Sequence, residues 1–204
     1  MKVYQIAVIR PQDPQTASSQ PPTLVLSLAS QLDSFSFFQR GGVEEFMQFF
    51  STTISERTKI GQRQGVEQNE YVGYVYRSHQ QLAVVAITDR EYPDMVAMEL
   101  VTKVTREFEQ KFSEAAINNA TQTVQFPELA NFLKKYQEPQ QANTILKVQK
   151  ELDETKAVLH KTMEGLLDRN EQLDMLVDKS NQLSTQSKMF YKTAKKTNSC
   201  CIVM

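Results

Sequence analysis

The chain has no tryptophan, only two histidines and only two cysteines in 204 residues, and those cysteines are neighbours, Cys200 and Cys201. Adjacent cysteines make poor material for a fold-bracing disulfide, which needs a defined separation of backbone atoms, so they call for another chemical explanation. No run approaches the roughly 18 consecutive apolar residues that a membrane-spanning helix requires. The opening MKVYQIAVIRPQD lacks the length and small-residue cleavage pattern of a secretory signal, so the chain is expected to stay in the cytosol. In that setting the Asn119-Ala120-Thr121 sequon reads as an ordinary polar loop. There is no Gly-rich phosphate loop ending in Lys-Ser/Thr, no HExxH and no GxSxG. An enzyme is therefore not expected, nor is a metal or cofactor, and His79 and His160 read as ordinary residues. The net charge of -1 gives no global reason to bind nucleic acid, so electrostatic targeting has to be local.

Within the first 138 residues, β-branched and aromatic runs bounded by turn signals predict strands over 3–9, 24–28, 71–77 and 82–88, with a short one around 62–66. Gly41-Gly42 precede a segment in which Val43, Phe46, Met47, Phe50 and Ile54 recur at helical spacing, so one face packs on a sheet. Phe49 lies about 120° from the centre of that face at the helical advance of about 100° per residue. It is a candidate exposed aromatic, and Phe46 is expected to be ordinary core. After the Tyr92-Pro93-Asp94 turn, Asp94 can cap a helix to Phe112, with Ala97, Val101, Val104 and Phe108 along its stripe, and a shorter helix covers 127–136. The expectation is an α+β domain over 1–138 with a mostly antiparallel five-stranded sheet and three helices, then a linker at 139–142.

From 143 to 197 the character changes: no proline, a single glycine at Gly165, and abundant Lys, Glu, Gln and Leu. Alternating steps of three and four pick out Ile145, Val148, Leu152, Thr155, Leu159, Thr162, Leu166, Arg169, Leu173, Leu176, Ser180, Leu183, Ser187, Phe190, Ala194 and Thr197, an unbroken heptad seam. As one helix it would run about 80 Å, far longer than the small domain could cover. Ten of these sixteen positions are apolar, and the rest are Thr, Ser or Arg, so the seam suits a larger, partner-supplied core. The alternatives are a simple homodimer or a segment folded back on its own domain. Arg169 sits mid-seam, where a guanidinium is costly unless a partner presents acceptors to its five donors.

The tail, 198–204, ends in Cys201-Ile202-Val203-Met204, a CaaX signal whose terminal Met points to farnesyl on Cys201. One lipid chain anchors only reversibly, so Cys200 is the natural site for a second, palmitoyl chain. Lys188, Lys192, Lys195 and Lys196, with no acid between 187 and 204, leave the stem basic, to face an anionic leaflet or to favour the helix dipole.

The stretch ETKAVLHKTMEGLLDRNEQLDMLVDKSNQLSTQS, together with FFQRGGVEEFMQFF, ISERTKIGQRQ, ITDREYP and NSCCIVM, resembles the Ykt-type prenylated synaptobrevin homologues over nearly the whole chain. Departures are confined to loops, such as the Pro-rich and Gln-rich insert at 11–22. The resemblance implies a longin (profilin-like) domain followed by a SNARE coiled-coil motif. It implies a parallel four-helix complex in which Arg169 forms the central ionic layer with one glutamine from each of three Q-SNARE helices. It also implies disassembly by an ATPase with its adaptor, residence in cytosol and on the cytoplasmic face of Golgi, vesicle and endosomal or vacuolar membranes, and a role for Phe49 in holding the SNARE motif or lipid on the longin surface. The rival class is a prenylated longin and coiled-coil tether or adaptor without fusogenic activity, which would not need Arg169 centred in the seam.

Overall fold

A computed structural model describes residues 1–12, 22–138, 159–167, 171–181 and 183–199. The first domain contains β1 (Val3–Arg10), β2 (Leu24–Ser30), α1 (Phe37–Glu56), β3 (Arg63–Gln68), β4 (Tyr71–Arg77), β5 (Ala83–Asp89), α2 (Asp94–Lys111), α3 (Glu114–Asn118) and α4 (Glu128–Lys135). The C-terminal region adds β6 (Leu159–Thr162), α5 (Met163–Leu166), α6 (Leu173–Lys179) and α7 (Thr185–Ser199).

The strand order is β2-β1-β5-β4-β3-β6, antiparallel throughout except for the parallel β3–β6 pair. The sheet is apolar on both faces because successive side chains alternate. Ile6, Val8, Val72, Tyr74, Val84 and Ala86 join one core with α2, α3 and α4. Ala7, Ile9, Val75, Ala83, Val85 and Ile87 join a second core with α1 and with the C-terminal region. The near-continuous apolar run of β5 reflects this double burial.

Several sequence expectations change. The sheet has a sixth strand, supplied by 159–162, because the edge of β3 has unpaired backbone that a nearby extended segment can satisfy. The helix around Val43 starts earlier, at Phe37, with Ser36 as N-cap and the Gln39 side chain accepting the Ser36 N–H at 3.4 Å. Gly41 and Gly42 therefore lie inside α1. Gly42 has a packing reason: a Cβ there would sit 3.2 Å from backbone atoms of Gln186 and Ser187. The short α3, a fourth helix where three were expected, follows Ser113, whose side chain accepts from Ala116 N.

Nor do the described residues of 143–197 form one continuous helix. From Leu159 onward they run as a short strand and three short helices laid against the first domain. A lone helix with a half-polar seam gains little in water, whereas docking buries Met163, Leu173, Val177 and Leu183. The expected linker at 139–142 lies outside the described residues.

Close packing of α1 on β4 yields a direct test. A Cβ on Gly73 would lie 2.7 Å from Ile54 Cδ1 and 3.1 Å from Phe50, inside the second core. Gly73→Ala should lower stability by about 1–3 kcal/mol through overpacking. Gly41→Ala, with nothing within 4 Å, should raise it by about 0.5–1 kcal/mol through helix propensity. Urea denaturation midpoints of the two variants check both signs.

Candidate functional site

The C-terminal region meets the first domain along α1 and the β3 edge. β6 pairs Gln64 with Leu159, Gly65 with His160, Val66 with Lys161 and Glu67 with Thr162. His160 lies over Gly65, where any Cβ would sit 3.1 Å from its ring. Its Nε2 is 2.9 Å from Asp94 Oδ2, and Tyr74 donates its hydroxyl to Asp94 Oδ1 at 2.5 Å. Asp94, expected as a helix cap, is thus the first residue of α2 and an acceptor shared by Tyr74 and His160. Burial, with the Asp94 hydrogen bond behind it, pushes the Tyr74 phenol far up.

Thr162 ends the strand and starts α5, its side chain accepting the Gly165 N–H at 3.2 Å. Beyond α5, Arg57 at the end of α1 donates to Glu171 at 2.8 Å with both side chains partly buried. α6 then buries Leu173 and Val177 in the second core.

α7 runs along α1. The Ser184 N–H donates to Glu45 at 2.9 Å, and the Ser187 hydroxyl lies 2.5 Å from the Gly42 carbonyl oxygen and 3.0 Å from the Glu45 carboxylate. Gln186 donates its amide to the Phe38 carbonyl. Phe46 sits at the centre, its ring centroid 5.8 Å from Phe190 and 5.6 Å from Tyr191, while Phe35 flanks Phe190 at 6.2 Å. Tyr191 also donates to Asp174 at 2.7 Å, and Lys195 pairs with the same carboxylate at 2.7 Å. Beside these rings an apolar cavity of about 310 Å³ opens between the start of α1 and α7, lined by Gln39, Gln186, Met189, Phe190, Thr193 and Ala194.

The electrostatics favour this packing at neutral pH. Hydrogen bonds from Ser184, with a smaller one from Ser187, hold Glu45 below the usual carboxylate range against the opposing effect of burial. Lys195 and then Tyr191 do the same for Asp174. Because both values are depressed in the docked arrangement, their contribution is complete above the ordinary carboxylate range. It is lost as pH falls through the depressed values.

Of the expected site residues, Ile145, Val148, Leu152, Thr155, Arg169, Cys200 and Cys201 lie outside the described residues. Leu159 belongs to β6, and exposed Thr162 caps α5. Leu173, Leu183 and Ser187 are buried, whereas Leu166, Leu176, Ser180, Phe190 and Ala194 are half-buried; Thr197 falls within α7. Phe49 is half-buried against the second core rather than standing clear of it. Phe46, expected to be plain domain core, is 2% exposed and is the ring on which Phe190 and Tyr191 pack. His160 was read as ordinary; its partner Asp94 is 66 residues away, and no local pattern marks that pairing. Three of the four lysines of the basic stem engage α6: Lys188 donates to the Asp178 carbonyl, Lys192 pairs with Asp178 and Lys195 with Asp174. Among the described residues no group of acids, histidines or cysteines could hold a metal ion, and no helix is long and apolar enough to cross a membrane. The arrangement is an intramolecular protein–protein interface.

Comparison with known proteins gives this interface a family. Residues 32–133 match the longin family, described as a regulated-SNARE-like domain, and residues 144–202 match synaptobrevin. The synaptobrevin homolog ykt6 of Schizosaccharomyces pombe is 51% identical over 203 residues, covering all of both chains. The homologs YKT6 of Debaryomyces hansenii and Saccharomyces cerevisiae are 48% and 45% identical, again over the full length of both chains. A longin domain and a synaptobrevin segment in tandem, with relatives this similar from end to end, mean that the chain belongs to the Ykt6 family of synaptobrevin homologues, a non-enzymatic SNARE family.

Proposed function

We propose that this chain drives intracellular membrane fusion as the arginine-bearing member of a parallel four-helix bundle with three Q-SNARE helices. The observation that carries the reading is the heptad seam from Ile145 to Thr197 with Arg169 at its centre, inside the synaptobrevin match. Seam residues that are half-polar in isolation become layers of a shared core, and Arg169 takes acceptors from the three partner glutamines. The bundle is then taken apart by the SNARE disassembly ATPase and its adaptor. Mixing the chain with recombinant Qa, Qb and Qc helices should give a heat-resistant 1:1:1:1 complex, read by native mass spectrometry. Arg169→Leu should still assemble but with relaxed partner register and slower ATP-driven disassembly. Unaltered selectivity and recycling in that variant would remove the polar layer from the mechanism.

Attachment to the cytoplasmic face of Golgi, vesicle and endosomal or vacuolar membranes is assigned to farnesyl on Cys201 followed by palmitoyl on Cys200. A single chain binds reversibly and two hold. Cys201→Ser should therefore be wholly cytosolic, and Cys200→Ser should associate only transiently, as read by fractionation and photobleaching recovery. Mass spectrometry of membrane-bound protein with an unmodified Cys201 contradicts the assignment.

The docked arrangement of the described residues within 159–199 supports a closed, autoinhibited form, since Leu173, Leu183 and Ser187 serve the domain interface and so are withheld from a bundle. The apolar cavity beside Gln39 and Ala194 offers a shelter for the farnesyl chain in the cytosol. Phe49→Glu should raise hydrogen exchange over 159–199 and increase membrane recruitment while the exchange of β5 and α2 stays unchanged. Phe46→Ala should do both and in addition cost about 3–5 kcal/mol of domain stability, because its ring is buried between the sheet and α7. An unchanged exchange pattern in both variants moves the closed-state contact elsewhere.

A further inference from the structure

Beside the seam residues Leu173, Leu183 and Ser187, the docked region buries a second stripe that lies off the heptad seam. With Leu166, Leu173, Ser180 and Ser187 at a, and Thr162, Leu176, Leu183 and Phe190 at d, residues Met163, Val177 and Tyr191 all fall at e, fourteen apart. They are 0%, 0% and 2% exposed. The d residues preceding them are less covered: Thr162 is exposed, and Leu176 and Phe190 are half-buried. The coincidence is more than one helix turned slightly on its axis, because the region is broken. Met163 belongs to α5, Val177 to α6 and Tyr191 to α7, so each short helix places one e residue in the second core. Ser184, the e residue between Val177 and Tyr191, uses its backbone N–H on Glu45 instead.

In a four-helix bundle the a and d residues make the layers and e residues stand on the flank. Leu173, Leu183 and Ser187 are thus wanted by both states, and a change there disturbs both. Met163, Val177 and Tyr191 would stand on that flank in a bundle, whereas on the longin domain they are buried, with Tyr191 packing on Phe46 and donating to Asp174. We infer that Met163, Val177 and Tyr191 form a docking code for the longin domain that is separate from the fusion seam. The balance between closed and bundled forms is then set by residues that the bundle does not use.

The second arm of the test rests on the four-helix reading above; the first does not. In the full chain, Val177→Gln with Tyr191→Gln should speed hydrogen exchange over 163–191 on the order of a hundredfold, as expected for losing two buried side chains. Exchange in β5 and α2 should stay native, which separates undocking from unfolding. In the second arm, the double variant should form a bundle with recombinant Qa, Qb and Qc helices whose melting point matches the wild type, and form it faster. Leu176→Gln, one residue away at d, should instead weaken the bundle. Val177→Ile, which keeps an apolar side chain, should stay docked. Wild-type exchange in the double variant overturns the proposal, as does a bundle weakened as much as by Leu176→Gln. If the wild-type chain forms no bundle, the fusion reading fails, and the exchange arm alone decides whether the e stripe holds the docked form.

Discussion

Everything in this fold follows from a sheet that is apolar on both faces and has to be covered on both. α2, α3 and α4 complete one side. On the other, α1 alone leaves part of its own apolar surface uncovered, and the second core is completed by Met163, Leu173, Val177, Leu183 and Tyr191 from the C-terminal region. The longin domain and the SNARE segment are therefore two parts of one hydrophobic problem. Phe46 shows this most plainly, since one ring stacks near Phe50 within α1 while also receiving Phe190 and Tyr191.

Under the proposed fusion role, that shared core sets up a competition. An amphipathic segment can bury its apolar side chains against α1 or between partner helices, and the difference between two large burial terms decides which. The docked form is held by many modest contacts: the Arg57–Glu171 pair, the Glu45 hydrogen bonds to Ser184 and Ser187, and the His160–Asp94 contact. Partly exposed polar contacts of this kind contribute little each, as an interface built to release would require. Specificity comes from their positions, and the bulk of the stabilisation comes from the buried side chains.

The elements of the first domain were legible because their signals are local: β4 follows from its run of β-branched and aromatic residues and α2 from helical spacing. The seam with Arg169 at its centre is read from heptad spacing alone, and Arg169 lies outside the described residues. What the sequence could not disclose was the second use of that seam. Helical spacing over 143–197 says that the segment is able to form a long helix, and it is silent about the strand at 159–162, whose four residues draw their stability from the β3 edge. Phe49 and Phe46 show the same limit. A helical wheel sorts residues by angle relative to one partner, and α1 has two, the sheet and α7, so the ring nearest the middle of the apolar face ended up touching both.

The parallel pairing of β6 with β3 carries one more consequence. If the segment becomes a bundle helix as proposed, the strand that completes the sheet has to leave it, and its departure would bare the backbone of Gln64 to Glu67. A naked edge is a template for any extended chain, including another copy of this one. The side chains along β3 are suited to guarding it: Arg63 lies 3.9 Å over the Tyr76 ring and Glu67 pairs with Arg90, two charges on a strand that is otherwise ready to recruit a neighbour. Such an opening would trade one exposed liability for another, and the interval with neither β6 nor a substitute on that edge would be the one most prone to self-association.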